Sequence, residues 1–185
     1  GKRDPDDAPH LIYLPERPFN HEKFLADVKR CYDAYGWVSI VCGEGITNAD
    51  GSPVSASQVK DRFQNVEFGA MGGASVAMIL HRMISAEFGF RGEFQVPESL
   101  PMCAADRALQ LDVDEAYMCG RAAVKLAAAG KTGLMVTLVR EPGRKYLCTT
   151  GTADFHDVAV KARPMPDKFI NEEGNFVTAE FMDYL

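Results

Sequence analysis

Two short apolar runs on either side of an amphipathic helix constrain the fold of this chain more than any other feature. The runs LIYL (11–14) and WVSIVC (37–42) are apolar at nearly every position, which is typical of parallel strands that are buried on both faces. Between them the sequence predicts a helix that Asn20 caps and Gly36 ends. A strand, a helix and a strand at this length predict a right-handed βαβ unit with parallel strands.

The rest of the chain continues this alternation of helices and strands. A helix is predicted over 74–89, a third strand over 90–96, and a helix with an Asp N-cap over 112–130. The runs GLMVTLVR (133–140) and RKYLCTTG (144–151) are separated by Glu-Pro-Gly and predict a β-hairpin. We therefore expect an α/β fold, with a Rossmann-like parallel sheet flanked by helices and an added β-hairpin.

Both ends of the chain differ in character from its middle. Residues 1–9 are charged and contain proline, which predicts a linker or loop, and residues 164–185 form a tail with a proline-rich loop and a short helix. The helices barely suffice to cover both faces of a parallel sheet, and only one candidate strand precedes the first helix. We expect a fragment of a two-domain enzyme, with a complete small domain as the alternative.

The charge balance excludes a general affinity for nucleic acid. The 185 residues contain 20 Lys and Arg against 26 Asp and Glu, and the net charge of −6 offers no attraction to a phosphate backbone. No apolar run approaches the roughly 20 residues of a membrane span, and no leader of the secretory type opens the chain. The five cysteines lack metal-ligand spacing and the four histidines are scattered, so we expect a reduced, cytoplasmic protein without a metal site in this chain.

Carboxylates follow the predicted strands where they end. Glu16 comes after the first strand and Glu44 after the second, and the carboxyl ends of parallel strands form the edge where α/β proteins bind ligands. Pro15 fixes the backbone just before Glu16 and so restricts the direction of its side chain. A second Pro-Glu pair, which ends in Glu98, follows the predicted third strand. Each of these acids is either a ligand-binding group or a solvated loop residue.

Two further features could hold an anion. Arg91 lies at the start of the predicted third strand, where a guanidinium suits a phosphate, although a surface ion pair is the alternative. The stretch AMGGAS (70–75) opens a helix with paired glycines, but it lacks the spacing of a phosphate loop, and a plain turn is the alternative. No combination of Ser, His and Asp or of Cys and His indicates nucleophilic catalysis, so the residues alone predict no catalytic group.

Together these stretches resemble the C-terminal half of a phosphofructokinase, especially its pyrophosphate-dependent and mixed-substrate members. The stretch PHLIYLPERPF, the helix after it and the strand leading to GEGI are similar to the family's strand ending in Pro-Glu, its helix and the next strand ending in Ser-Glu-Gly. FGAMGGASVAMIL resembles the family's glycine-rich segment before a helix. DVDEAYMCGRAAVKLAAAGKTGLMVTLVR and MPDKFINEEGNFVTAEFMDYL match its helix–strand and tail pattern, so the resemblance covers nearly the whole chain.

The resemblance implies part of a glycolytic 6-phosphofructokinase, which transfers a phosphoryl group from ATP or pyrophosphate to the 1-hydroxyl of fructose 6-phosphate with Mg²⁺. Residues 1–185 would form its sugar-phosphate-binding domain, with Glu16 contacting sugar hydroxyls and Arg91 and Glu98 as further substrate-binding residues. The family's donor loop, aspartate loop and Mg²⁺ ligands belong to its other half. We therefore expect this chain alone to be inactive and its parent to be a homo-oligomer.

The sequence departs from the family at the site for the 6-phosphate. After the arginine that matches Arg91, many members carry a His or Tyr and then an Arg, and an ungapped alignment places Pro97 and Leu100 there. This departure supports a second hypothesis, a non-catalytic regulatory or assembly subunit with the same fold. Both hypotheses and both phosphoryl donors stay open at this level, as do reversibility, allosteric effectors and oligomer size.

Overall fold

The fold is mixed α/β, and the chain divides into two compact units. The first comprises Gly1–Glu98 and Pro164–Leu185, and the second comprises Ser99–Arg163. The computed structural model describes residues 2–55, 75–97, 99–159 and 162–185. The strands and helices in chain order are β1 (Leu11–Tyr13), α1 (His21–Tyr35), β2 (Ile40–Cys42), α2 (Val76–Phe88), α3 (Leu100–Cys103), α4 (Gln110–Ala128), β3 (Leu134–Arg140), β4 (Cys148–Asp154), α5 (Phe155–Val158) and α6 (Ala179–Tyr184).

The predicted βαβ unit is confirmed. Strands β1 and β2 pair in parallel, with Leu11 opposite Ile40, and α1 connects them. The Asn20 side chain accepts a hydrogen bond from the Lys23 N–H at 2.8 Å, and Gly36 ends the helix at a φ of 77°. Local sequence signals therefore define both ends of α1.

One hydrophobic core holds this unit together. Phe24 and Val28 of α1 are fully buried in a cluster with Leu11 of β1, and α2 adds Val76 and Leu80 to the same cluster. Phe24 also packs against Tyr13 with ring centroids 5.4 Å apart. Burying a side chain of this size contributes about 1.5–3 kcal/mol, so this core fixes β1 and the loop that follows it.

The prediction of a third strand over 90–96 is wrong. Residues 90–97 have no regular secondary structure, and the parallel sheet in the described part of the chain consists of β1 and β2. Side chains of α2 meet the polar backbone of this segment instead of a neighbouring strand. His81 Nε2 lies 3.0 Å from the Gly92 carbonyl oxygen, and Ser85 Oγ donates to the Phe90 carbonyl oxygen at 3.4 Å.

The end of the chain returns to the first unit. Ile12 of β1 donates its N–H to the carbonyl oxygen of Asn175 at 2.8 Å. Phe169 and Ile170 are buried, and Phe169 also contacts the ring of Phe181 in α6. A backbone hydrogen bond therefore joins this segment to β1, and aromatic rings pack against each other within the segment.

The second unit contains the predicted β-hairpin. Strands β3 and β4 pair antiparallel, and Gly151 of β4 lies opposite Thr137. A Cβ atom at Gly151 would lie 2.8 Å from Val139 Cγ2, so glycine avoids a clash across the hairpin at this position. Helix α4 begins at Gln110, two residues before the predicted Asp112 cap, and Gly130 follows it with a φ of 71°.

Within the residues that the structure describes, no helix combines the length and the apolar character needed to cross a bilayer.

Candidate functional site

The loops that follow β1 and β2 pack against each other at one end of the parallel sheet. Gly43 donates its N–H to the Tyr13 carbonyl oxygen at 3.0 Å, which extends the pairing past the strand ends. A Cβ atom at Gly43 would lie only 3.0 Å from Pro15 Cδ, so a larger residue would push the two loops apart. The backbones of Glu16 and Glu44 are therefore held at the same edge of the sheet.

Glu16 is partly buried, and its carboxylate has one protein donor among the described residues. Its Oε1 accepts a hydrogen bond from the backbone N–H of Met165 at 2.9 Å. The neighbouring Arg17 guanidinium donates to the Asp167 carboxylate at 2.8 Å and not to that of Glu16. The other carboxylate oxygen of Glu16 has no donor among the described residues.

Glu44 has a structural partner at the start of α2. Its Oε1 accepts from the backbone N–H of Val76 at 3.3 Å, and Ser75 Oγ accepts from the N–H of Met78 at 3.2 Å. A negative charge at a helix N-terminus is stabilised by the free N–H groups and the helix dipole. Glu44 therefore caps α2, although it shares the sheet edge with Glu16.

The environment of Cys42 suppresses its reactivity. Burial, together with the negative charge of Glu44, raises the pKa of the Cys42 thiol to about 11. The thiolate is the nucleophilic form of cysteine, and it is a very small fraction of the total at neutral pH. Cys42 is therefore a packing residue at the end of β2.

Arg91 lies on a separate cavity of about 410 Å³ in the first unit. Aromatic side chains line much of it, and Phe90 stacks on Tyr32 with ring centroids 4.0 Å apart. Arg91 itself is exposed and makes no ion pair or hydrogen bond with the described residues. Glu16 does not line this cavity, so the structure does not bring Arg91 and Glu16 into one cavity.

Two other predicted features cannot be placed. Glu98 and the glycine pair within residues 70–74 lie outside the described residues. Ser75, the last residue of the glycine-rich stretch, is the N-cap of α2. Leu100, which the ungapped alignment places at a phosphate-binding position, is 69% exposed at the start of α3.

Sequence reasoning missed a buried polar cluster centred on Asp27. This residue is only 4% exposed, and it lies on the buried face of α1 beside Phe24 and Val28, which was the available signal. Its carboxylate accepts four hydrogen bonds or ion pairs: from Tyr13 Oη at 3.0 Å, Asn175 Nδ2 at 2.8 Å, Lys23 Nζ at 3.1 Å and Arg30 Nη2 at 2.9 Å. The cluster joins β1, α1 and the C-terminal segment.

The cluster also sets the protonation of its members. Burial by itself would raise the pKa of Asp27, but the hydrogen bonds from Asn175, Lys23 and Tyr13 and the charge of Lys23 outweigh it and hold that pKa below its usual value. Burial and then the Asp27 charge raise the pKa of the Tyr13 hydroxyl. At neutral pH the pair is therefore an ionised acid and a neutral phenol.

The stability of the protein should consequently fall in acid. A free Asp carboxyl titrates at about pH 4, and the pKa of Asp27 in the folded state is lower. Below about pH 4 the unfolded state therefore binds more protons than the folded state. The stabilisation is fully present above about pH 4 and is lost as pH falls through the folded pKa. Urea titrations at a series of pH values should show that the free energy of unfolding falls more steeply with decreasing pH in the parent than in Asp27→Asn. Equal pH dependence of the two free energies would contradict this.

Comparison with known proteins finds relatives that match nearly the whole chain. No protein-family model matches it. The chain is 36% identical over 194 residues to pyrophosphate–fructose 6-phosphate 1-phosphotransferase of Rhodospirillum rubrum. That alignment covers 100% of the chain and 46% of the relative. It is 32% identical over 181 residues to the enzyme of the same name from Xanthomonas campestris, covering 97% of the chain and 42% of the relative.

The solved structures agree with the sequence relatives. The pyrophosphate-dependent phosphofructokinase of Marinobacter aquaeolei matches with a TM-score of 0.78 and 32% identity, covering 100% of this chain and 41% of that one. The chain therefore spans less than half the length of the proteins that it matches. Along its whole length, the chain is similar in sequence and in structure to one part of these phosphofructokinase-type proteins.

Proposed function

We propose that the longer protein is a pyrophosphate-dependent 6-phosphofructokinase of glycolysis and that residues 1–185 supply its C-terminal, sugar-phosphate side. The observation that carries the proposal is the position of Glu16. It follows a buried parallel strand at the edge where such sheets bind ligands, and one of its carboxylate oxygens has no donor among the described residues. The names of the relatives support fructose 6-phosphate as the acceptor and pyrophosphate as the donor.

The chemistry required of Glu16 is recognition of sugar hydroxyls. An ionised carboxylate only accepts hydrogen bonds, and hydroxyl groups donate them. A hydrogen bond to a charged group is stronger than one between neutral groups, so a single well-placed carboxylate orients a sugar ring. Because β1 and Pro15 hold the backbone, Glu16 needs little reorganisation to do this.

Arg91 and Glu98 enter this proposal as substrate-binding residues through the family resemblance, because Arg91 lies on a cavity that Glu16 does not line. The Arg91 guanidinium is exposed on the rim of an aromatic-lined cavity and has no acidic partner among the described residues. A guanidinium can bind a phosphate through two parallel hydrogen bonds. The role of Glu98 rests on the family resemblance alone.

The proposal assigns donor binding and metal binding to other residues. Family members use Mg²⁺, but no group of three or more His, Cys, Asp or Glu side chains in the described part of the chain is arranged to hold a metal ion. We therefore assign no Mg²⁺ ligand to these residues and derive no step through the ion. ATP is the alternative donor.

The second hypothesis is the non-catalytic subunit, and the names of the relatives do not favour it. The two hypotheses and the two donors can be separated with one set of assays. The purified full-length protein is incubated with fructose 6-phosphate and either pyrophosphate or ATP, and fructose 1,6-bisphosphate is measured through a coupled reaction. Turnover with pyrophosphate supports the proposal, whereas turnover with neither donor would favour the subunit.

Self-association and a cytoplasmic location are part of the same proposal. Large apolar side chains are exposed in both units, among them Val41 of β2 at 52% and a stripe on α4 comprising Val113, Tyr117 and Val124 at 50%, 70% and 70%. A partner commonly covers apolar surface of this kind, and here the partner would be a second copy of the chain or the rest of the protein. All five cysteines are free, which supports a reducing compartment.

The isolated chain should have no phosphotransferase activity. Phosphoryl transfer depends on positioning both substrates and neutralising charge, and the proposal gives this chain only the sugar side. We expect no product above background from residues 1–185 under conditions where the full-length protein turns over. Turnover by the isolated chain, in a preparation from a host lacking its own phosphofructokinases, would overturn the division of roles.

A further inference from the structure

We propose that residues 164–178, here called the C-terminal strap, position the Glu16 carboxylate for its ligand. The inference rests on the proposed role of Glu16 in sugar recognition. The strap is distant from Glu16 in sequence, yet its Met165 N–H donates to Glu16 Oε1 at 2.9 Å. Its other contacts attach it to the βαβ unit and thereby fix the location of that donor.

The strap is attached most firmly at Asn175. This side chain is 3% exposed and donates from Nδ2 to the buried Asp27 carboxylate at 2.8 Å. The Asn175 carbonyl oxygen accepts the backbone N–H of Ile12 in β1 at 2.8 Å. The strap is thus bonded to the strand that leads into Glu16.

Hydrogen bonds also close a turn of the strap between its attachments. Asn171 Oδ1 accepts from the backbone N–H groups of Asn175 and Phe176, each at 3.0 Å. Ile170 and Val177 form an antiparallel bridge across the same turn. A turn closed by side-chain and backbone bonds transmits the position of Asn175 to the rest of the strap.

A second attachment lies beside Glu16 itself. Arg17 donates to the Asp167 carboxylate at 2.8 Å, and a Cβ atom at Gly174 would lie 3.3 Å from Arg17 Cγ. The stem of Arg17 therefore packs against the strap while its head bonds to it. Attachments at Asn175 and Arg17 leave Met165 little freedom relative to Glu16.

The consequence for binding is preorganisation. A glutamate side chain has three rotatable bonds, and ordering it during binding reduces affinity. When Met165 holds one oxygen beforehand, the other oxygen keeps a fixed direction for a sugar hydroxyl. Met165 is accordingly a positioning residue that acts through Glu16.

The test removes this one donor from the full-length protein. Met165 lies between Pro164 and Pro166 in a segment without regular secondary structure, and Met165→Pro deletes its N–H. Met165→Ala is the matched control because it keeps the N–H and removes the side chain. We expect Met165→Pro to raise the KM for fructose 6-phosphate about tenfold with kcat within about threefold, and Met165→Ala to leave both within about twofold.

Glu16→Ala separates the failure of this inference from that of the proposed function. If Glu16→Ala raises KM and Met165→Pro does not, the positioning role is wrong and the function stands. If Glu16→Ala leaves KM unchanged, the role of Glu16 in sugar recognition and the positioning role of Met165 are both wrong, whereas absence of turnover in the parent protein would refute the proposed function itself. A lowered KM in Met165→Pro would mean that Met165 competes with the sugar for Glu16, which also overturns the inference.

Amide hydrogen exchange provides a readout that does not depend on how the proline variant folds. Pro164 and Pro166 have no N–H, so Met165 supplies the one amide of residues 164–166. In Glu16→Ala this amide should exchange at least about tenfold faster, while the Asn175 amide, held by Asn171, stays unchanged. Equal exchange at Met165 with and without Glu16 would overturn the contact on which the inference depends.

Discussion

Replacing Glu16 with glutamine in the full-length protein should raise the KM for fructose 6-phosphate by about one to two orders of magnitude. Glutamine keeps the size of the side chain and an oxygen that can accept the Met165 N–H, so it removes mainly the negative charge. A hydrogen bond to a charged group contributes about 1.5–3 kcal/mol, which corresponds to that range. The thermal midpoint should change little because Glu16 is only partly buried.

Glu44→Gln is the matched control at the neighbouring strand end. Its carboxylate caps α2 through the Val76 N–H, so the loss of charge should lower the free energy of unfolding by about 0.5–1 kcal/mol. Its KM should stay within about threefold of the parent. If both variants leave KM and kcat within about twofold, Glu16 has no place in the substrate site and the Pro-Glu pair serves only the turn.

Asn175→Ala should be among the most destabilising single changes outside the hydrophobic core. It removes a buried donor to Asp27, whose side chain is 5% exposed, and leaves that charge with less compensation. Weakening a buried charge cluster in this way should lower the free energy of unfolding by about 2–4 kcal/mol. The loss is not larger because the solvent-exposed Lys23 and Arg30 still pair with the Asp27 carboxylate. The thermal midpoint of a protein unit of this size should fall by roughly 5–15 °C.

Asn48→Ala tests whether this loss is specific to the buried cluster. Asn48 is exposed, and its side chain donates to Ser52 Oγ at 3.1 Å. Its replacement should change the midpoint by no more than about 2 °C, as is usual for surface positions. Calorimetry of the three proteins measures both effects, and similar midpoints for the two variants would show that the Asp27 cluster does not stabilise the fold.

Part of the candidate site could be predicted, because the positions of Glu16 and Glu44 follow from the geometry of two parallel strands. Apolar runs predict the parallel strands, and parallel strands bring their carboxyl ends together whatever the rest of the chain does. Glu16 and Glu44 were therefore expected at one edge, where the structure has them. The capping role of Glu44 was not predictable, because its partner is the first N–H of a helix 32 residues later.

The third strand shows where local pattern fails. Residues 90–96 have the alternation of a strand, but a strand exists only when a neighbour completes its backbone hydrogen bonds. In the structure, His81 and Ser85 of α2 contact two carbonyl oxygens of this segment, and Phe90 stacks on Tyr32. The identity of the hydrogen-bond partner, and not the propensity of the segment, decided its conformation.

The sequence by itself determined the βαβ unit, because Asn20, Gly36 and the apolar runs act within a few residues of one another. The tertiary structure alone decided what surrounds Glu16. Asp27 meets Asn175 across 148 positions of the chain, and Glu16 meets Met165 across 149. Contacts at such separations depend on how the whole first unit packs, and neither residue type nor spacing encodes them locally.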